Sequence, residues 1–141
     1  MFELTLINSF VIFTAVLIHY EVLQQLSHLL PRIRLGFRFR IAIGVLGTMV
    51  AHTMEVWMFA FIFHFMLSNG GYGTISGLEH PDLLGCVYFS FSTYTSLGYG
   101  DLVPLGHLRY LAGLEALTGL VFIAWTASFL YFEMQRYWHS D

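Results

Sequence analysis

The 141-residue chain has no lysine, a single cysteine, three prolines and few charges, with acidic and basic residues together making up 11% of it. Average soluble domains carry about 25% charged residues. So sparse a charge excludes a general nucleic-acid binder and a disordered tail, and no nucleic acid is expected among its partners. The lone cysteine, Cys86, excludes an intramolecular disulfide framework and a CxxC metal or redox site. Within an apolar stretch it reads as a small buried hydrophobe. The N-terminus lacks the basic flank and small-residue cleavage site of a removable signal peptide, so the first apolar stretch is expected in the mature protein. Seven histidines raise the thought of haem, but ligation needs paired histidines at matched depths on facing helices. His52 and His64 have no second such pair, and no organic cofactor is expected.

What is present is apolar: 57% of the chain is hydrophobic and 18% aromatic, with a formal net charge of −3. The length suits one domain, yet this much apolar surface cannot hide in one soluble core. A membrane span uses about 20 mostly apolar residues, so three spans with short connections would consume most of the chain. The fold class expected is therefore an all-α membrane protein. The first helix covers residues 1–30, apolar to Ile18 and then mixed with His19, Glu21, Gln24, Gln25 and His28, and Pro31 stops it. A basic connector follows over 31–40, then a second helix over 41–67. A glycine-rich loop over 68–81 leads to a short apolar helix over 82–94, capped by Asp82 and too short to span. An irregular segment over 95–101, a last helix over 107–132 and a tail over 133–141 complete the chain.

Four of the six arginines, Arg32, Arg34, Arg38 and Arg40, sit together in the connector. Their spacings of two, four and two are not the every-third pattern of a voltage sensor. They read as cytoplasmic topology determinants, with anionic lipid contact as the lesser alternative. The N-terminus is then outside and the C-terminus, with Arg136, in the cytoplasm. Tyr131, Tyr137 and Trp138 fall at the inner interface, where aromatics are favoured. No soluble ligand-binding domain is expected after Asp141, so gating has neither of those modules behind it.

The most informative stretch runs from Thr95 through Ser96, Leu97, Gly98, Tyr99, Gly100 and Asp101 to Pro104. Irregular backbone at membrane depth is tolerated only where it is buried in protein or lines a water-filled cavity. Two glycines alternating with a bulky residue permit positive φ at alternate positions, so that successive carbonyls turn to one side. Four copies around an axis would stack rings of carbonyl oxygens that replace an ion's hydration shell, the arrangement of which the potassium-channel loop is the standard example. A pore helix ending beneath such a loop would add the partial negative charge of its C-terminus.

The chain resembles the potassium-channel pore-loop superfamily, specifically the small bacterial channels with one pore loop between two helices. The likeness covers about Ile41 to Phe132, and the first helix is an addition to it. The resemblance implies ion sites for K+ at the carbonyls of Ser96, Leu97, Gly98 and Tyr99 with the Ser96 hydroxyl, Gly100 closing the filter, and no catalysed reaction. It implies a homotetramer in a bacterial inner membrane, in contact with lipid. Tyr88, Phe89, Ser92, Thr95 and Asp101 occupy filter-support positions. Ser96 stands where threonine is usual, Leu97 where valine is usual, and Tyr88 and Phe89 where two tryptophans are common. Phe89 cannot donate a hydrogen bond to the Tyr99 hydroxyl, whereas Tyr88 can reach Asp101. These departures leave two alternatives open: a weakly selective cation channel, and a non-conducting membrane sensor or subunit that keeps the loop as scaffold.

Outside the motif, His52 and Glu55 share one face of the second helix, where an ionisable group is costly and functional by default. The first helix offers His19 and Glu21 at a comparable depth. The readings are a structural polar contact or a proton-sensing gate. Glu115 is expected behind the filter, accepting from Thr93 or Ser92. Gly119, aligned with the family's hinge glycine, is either a hinge or a close-packing site. Leu120, Ile123, Ala127 and Tyr131 share a cavity-facing stripe, where an apolar constriction could gate by dewetting.

Overall fold

The computed structural model describes residues 2–78, 80, 82–98 and 100–138. Four α-helices dominate: α1 (Phe2–Leu29), α2 (Phe37–Asn69), α3 (Leu83–Tyr94) and α4 (Leu108–Trp138). Three of them, α1, α2 and α4, are long and apolar enough to cross a membrane, and α3 is a short apolar helix between two of them. The all-α architecture expected from composition is the observed one.

The helix ends depart from expectation for local reasons. Helix α1 stops at Leu29, ahead of Pro31, because proline disfavours helical geometry in the residue before it. The 3-10 turn Leu30–Arg32 takes up the proline. Helix α2 restarts at Phe37, so Arg38 and Arg40 belong to its first turn rather than to an irregular connector. Gly36 precedes it, its carbonyl accepting from the amides of Phe39 and Arg40 at 3.0 and 3.3 Å. Arginine is a good helix former, and the drop in hydropathy that marked a boundary in the sequence is no break in the backbone. At its other end α2 runs to Asn69, and α4 continues to Trp138 instead of giving way to a tail at residue 133. Contacts one turn apart carry α4 onward: Arg136 to Glu133 at 3.1 Å and Gln135 to Tyr131 at 2.7 Å.

The glycine-rich loop holds more order than expected. Its Ile75–Ser76 forms a two-residue strand, β1, antiparallel to β2 (Val103–Pro104), with Ile75 opposite Pro104. The amides of Leu105 and His107 donate to the carbonyls of Thr74 and Tyr72, both at 2.8 Å. Gly77, at φ 91°, lets the loop backbone touch the motif at Asp101, since a Cβ there would lie 2.0 Å from the Asp101 carbonyl oxygen.

Helix α3 packs against both α2 and α4, and α1 lies against the same two helices. The fully buried core joins Phe59 and Phe63 of α2, Cys86 and Phe89 of α3, and Leu108 and Leu111 of α4. Cys86 is the small buried hydrophobe the sequence suggested. Asp82 accepts from the Gly85 amide at 3.2 Å and caps α3.

Candidate pore loop and the polar cluster behind it

The motif begins where α3 ends, and the way α3 ends sets its conformation. The Ser96 amide donates to the Thr93 carbonyl at 3.0 Å and the Leu97 amide to the Ser92 carbonyl at 3.2 Å. This crossed pair is a Schellman termination, which requires a left-handed residue at the position Ser96 holds. Ser96 has φ 55°, a region glycine usually occupies. The next positive φ is Gly98 at 94°. Left-handed residues thus stand at alternate positions, Ser96 and Gly98, the first of them claimed by the helix terminus. Tyr99 lies outside the described residues. Thr95 donates its hydroxyl to the Phe91 carbonyl at 2.7 Å and so belongs to the helix end.

Tyr88 reaches the motif, and Ser90 ties the helices behind it. Tyr88 donates from its hydroxyl to Asp101 Oδ1 at 3.2 Å, making the reach anticipated for that pair. Phe89 is fully buried and edge-on to Phe63 of α2, with centroids 4.9 Å apart. That contact places it in the core between α2 and α3. Between α3 and α4, Ser90 bonds to the buried Glu115 carboxyl, in place of Thr93 or Ser92. Thr93 bonds instead to its own helix at Phe89, and the Ser92 carbonyl serves the Schellman turn. Ser90 also reaches the Val56 carbonyl at 2.9 Å, linking α2 to the same point. Its hydroxyl has one hydrogen, so both contacts are hydrogen bonds together only when the carboxyl supplies the second proton.

Gly119 lies where α4 crosses the end of α3. A Cβ there would stand 2.1 Å from the Tyr94 carbonyl oxygen. Between hinge and packing site, the observed geometry is that of packing: the helices touch backbone to backbone. Farther along α4, Leu120, Ile123, Ala127 and Tyr131 are exposed in the single chain.

Beneath α3 is a polar cluster fed by all four helices. His19 Nδ1 of α1 meets Glu55 Oε1 of α2 at 2.9 Å, with both side chains fully buried. Tyr94, the last residue of α3, bonds to the other carboxylate oxygen. His52 Nδ1 lies 2.8 Å from the Tyr94 hydroxyl and 3.4 Å from Glu55 Oε2. Thr126 of α4 faces the Nε2 atoms of His52 at 3.0 Å and His19 at 3.4 Å. His19 also stacks on Phe122, centroids 4.4 Å apart. Five hydrogen bonds need one hydrogen each. Two come from the hydroxyls, and the remaining three are the number that Glu55 and the two imidazoles carry when the cluster has no net charge. A low-dielectric interior favours that total.

His52 and Glu55 thus meet, as their spacing suggested. Of the two candidates on α1 His19 joins them, while Glu21 accepts from Gln25 on the exposed side at 2.9 Å. The sequence reading missed Tyr94 and Thr126. Tyr94 abuts the motif and looked like part of it, and a threonine in an apolar helix carries no signal of its own.

A family model described as ion channel matches residues 41–135. No curated protein matches the chain, and no solved structure does.

Proposed function

The chain belongs to that ion-channel family, and we propose that it is a potassium-selective channel, conducting K+ passively through a filter completed by four copies of residues 96–100. The observation that carries this reading is the backbone of the motif, a helix terminus leading into alternate left-handed residues at Ser96 and Gly98. Alternation of this kind turns carbonyls to one side, and in the proposed ring those of Ser96, Leu97, Gly98 and Tyr99, with the Ser96 hydroxyl, replace the hydration shell of K+. The C-terminus of α3 adds a partial negative charge beneath the filter that favours cations. Ions move in single file, repulsion between neighbours speeds exit, and no bond is made or broken.

One chain supplies one quarter of the ring, so the working unit is a homotetramer. Support comes from Leu97, a leucine 85% exposed in the single chain in the middle of the motif. Its burial is assigned to neighbouring subunits. The arginines over 31–40 orient the chain with its N-terminus outside and its C-terminus in the cytoplasm of a bacterial inner membrane. Ile123, Ala127 and Tyr131 form the gate region, with Gly119 fixing α4 to α3 above it. Asp101, held by Tyr88, guards the outer end of the filter.

Potassium efflux from liposomes containing the purified chain tests the reading. Efflux above empty liposomes, blocked by barium and lost in Gly98→Ala, is expected. The φ of 94° at Gly98 is strained for any L side chain. Absence of efflux across all gating conditions, from protein that migrates as a tetramer, would favour the non-conducting scaffold. A second reading, the weakly selective pore, is favoured by the Tyr88 contact to Asp101, which is exposed and 3.2 Å long.

A further inference from the structure

The geometry points to a binding site for a transition-metal ion of the Zn2+ class, held by His19 Nδ1, His52 Nδ1 and the Glu55 carboxylate, with the Tyr94 hydroxyl oxygen as fourth ligand. The ligand atoms of His19, His52 and Glu55 all lie within 4.8 Å of one another. Zn2+ prefers four nitrogen, oxygen or sulfur ligands in a tetrahedron, with bonds of about 2.0–2.1 Å to imidazole and similar to carboxylate, so neighbouring ligand atoms sit ~3.3 Å apart. The observed separations are 2.9 Å for His19 Nδ1 to Glu55 Oε1 and 3.4 Å for His52 Nδ1 to Glu55 Oε2. Tyr94 Oη is 2.8 Å from His52 Nδ1. Small side-chain adjustments convert this knot into a first coordination sphere.

The surroundings fit as well. A metal-bound imidazole almost always donates its other ring N–H to an oxygen, which fixes its tautomer and orientation. Here both Nε2 atoms face one oxygen, Thr126 Oγ1, at 3.0 and 3.4 Å, and its two lone pairs can take both donors. Phe122 stacked on His19 holds the first ring in place. Exchange of one divalent ion for two protons, with Tyr94 bound as phenolate, leaves the cluster uncharged and so suits its burial. An entry path exists: the His52 side chain is 20% exposed and lines a cavity of about 200 Å³ shared with Met49, Thr53, Phe91 and Ile123.

The site spans what the family match does not. His19 belongs to α1, ahead of residue 41 where the match begins, whereas His52 and Glu55 lie on α2 and Tyr94 ends α3. An ion bound here fastens the added helix to the helix that carries the pore loop.

Titration of the purified full-length chain in detergent with ZnCl2, followed by calorimetry, tests the proposal, with CoCl2 as spectroscopic probe. Expected are one ion per chain, a tetrahedral Co2+ absorption band, loss of both in His19→Gln and His52→Gln, and a Thr126→Ala affinity weakened about 10–100-fold. Replacing the exposed His28, His80 and His107 with glutamine should leave binding intact. Absence of saturable binding overturns the site, as does binding that survives His19→Gln but is lost in the exposed-histidine variant. Should the cluster variants fail to fold, the wild-type Co2+ complex still decides, because an octahedral spectrum of water and surface ligands overturns the proposal. The readout is ion binding, so its failure is separate from any failure of conduction.

Discussion

Two fully buried carboxyl groups flank α3, and they are built differently. Glu115, on α4, has one hydroxyl partner, Ser90, which in turn holds α2 through the Val56 carbonyl. Its second oxygen is buried without a hydrogen-bond partner among the described residues. Glu55, on α2, is bonded by His19 of α1 and Tyr94 of α3, with His52 beside it and Thr126 of α4 closing the circuit. Glu115 is a local peg between α3 and its nearest neighbours. Glu55 is a hub, and removing it strands partners on several helices at once. Burial alone costs both groups dearly; what separates them is the number of elements each one fastens.

The largest effect should come from breaking the ground both share. Gly119→Ala forces a Cβ into the Tyr94 carbonyl and drives α4 from α3, so a loss above ~4 kcal/mol, or no folded protein, is expected in thermal unfolding in detergent. Glu55→Ala comes next. Removing one member of a buried pair typically costs about 3–5 kcal/mol, and digestion by protease should then release α1 before the remaining helices. Glu115→Ala removes one hydroxyl's partner and should cost about 1–3 kcal/mol without freeing α1. If Glu115→Ala loosened α1 as much as Glu55→Ala, the hub-and-peg distinction would fail. The smallest change is Tyr88→Phe, which loses an exposed 3.2 Å contact to Asp101. Stability should fall by less than about 1 kcal/mol, while the sodium-to-potassium flux ratio rises.

Much of this architecture was readable from the residues in order. Apolar runs located the three long helices, and Asp82 marked the start of α3, because both signals are local. Helix ends were harder: Arg38, Glu133 and Gln135 lower hydropathy without breaking a helix. The pairing of Ile75 with Pro104 depends on two distant segments meeting, which no periodicity reports. Within the sites, the approach of His52 to Glu55 followed from their helical spacing. Choosing Ser90 over Thr93 for Glu115 needed the height at which α4 crosses α3. Tyr94 was hidden by its neighbours: one residue from the motif, it turns back toward α2 and bonds to Glu55.

The most direct test of the account is the reversal potential of the reconstituted channel under opposed potassium and sodium gradients. A potential near the potassium equilibrium value, abolished with the current by barium, is the predicted result. Robust current reversing near zero would contradict potassium selectivity, and would mean that a filter opening on Ser96 and Leu97 and held by Tyr88 passes monovalent cations without choosing among them.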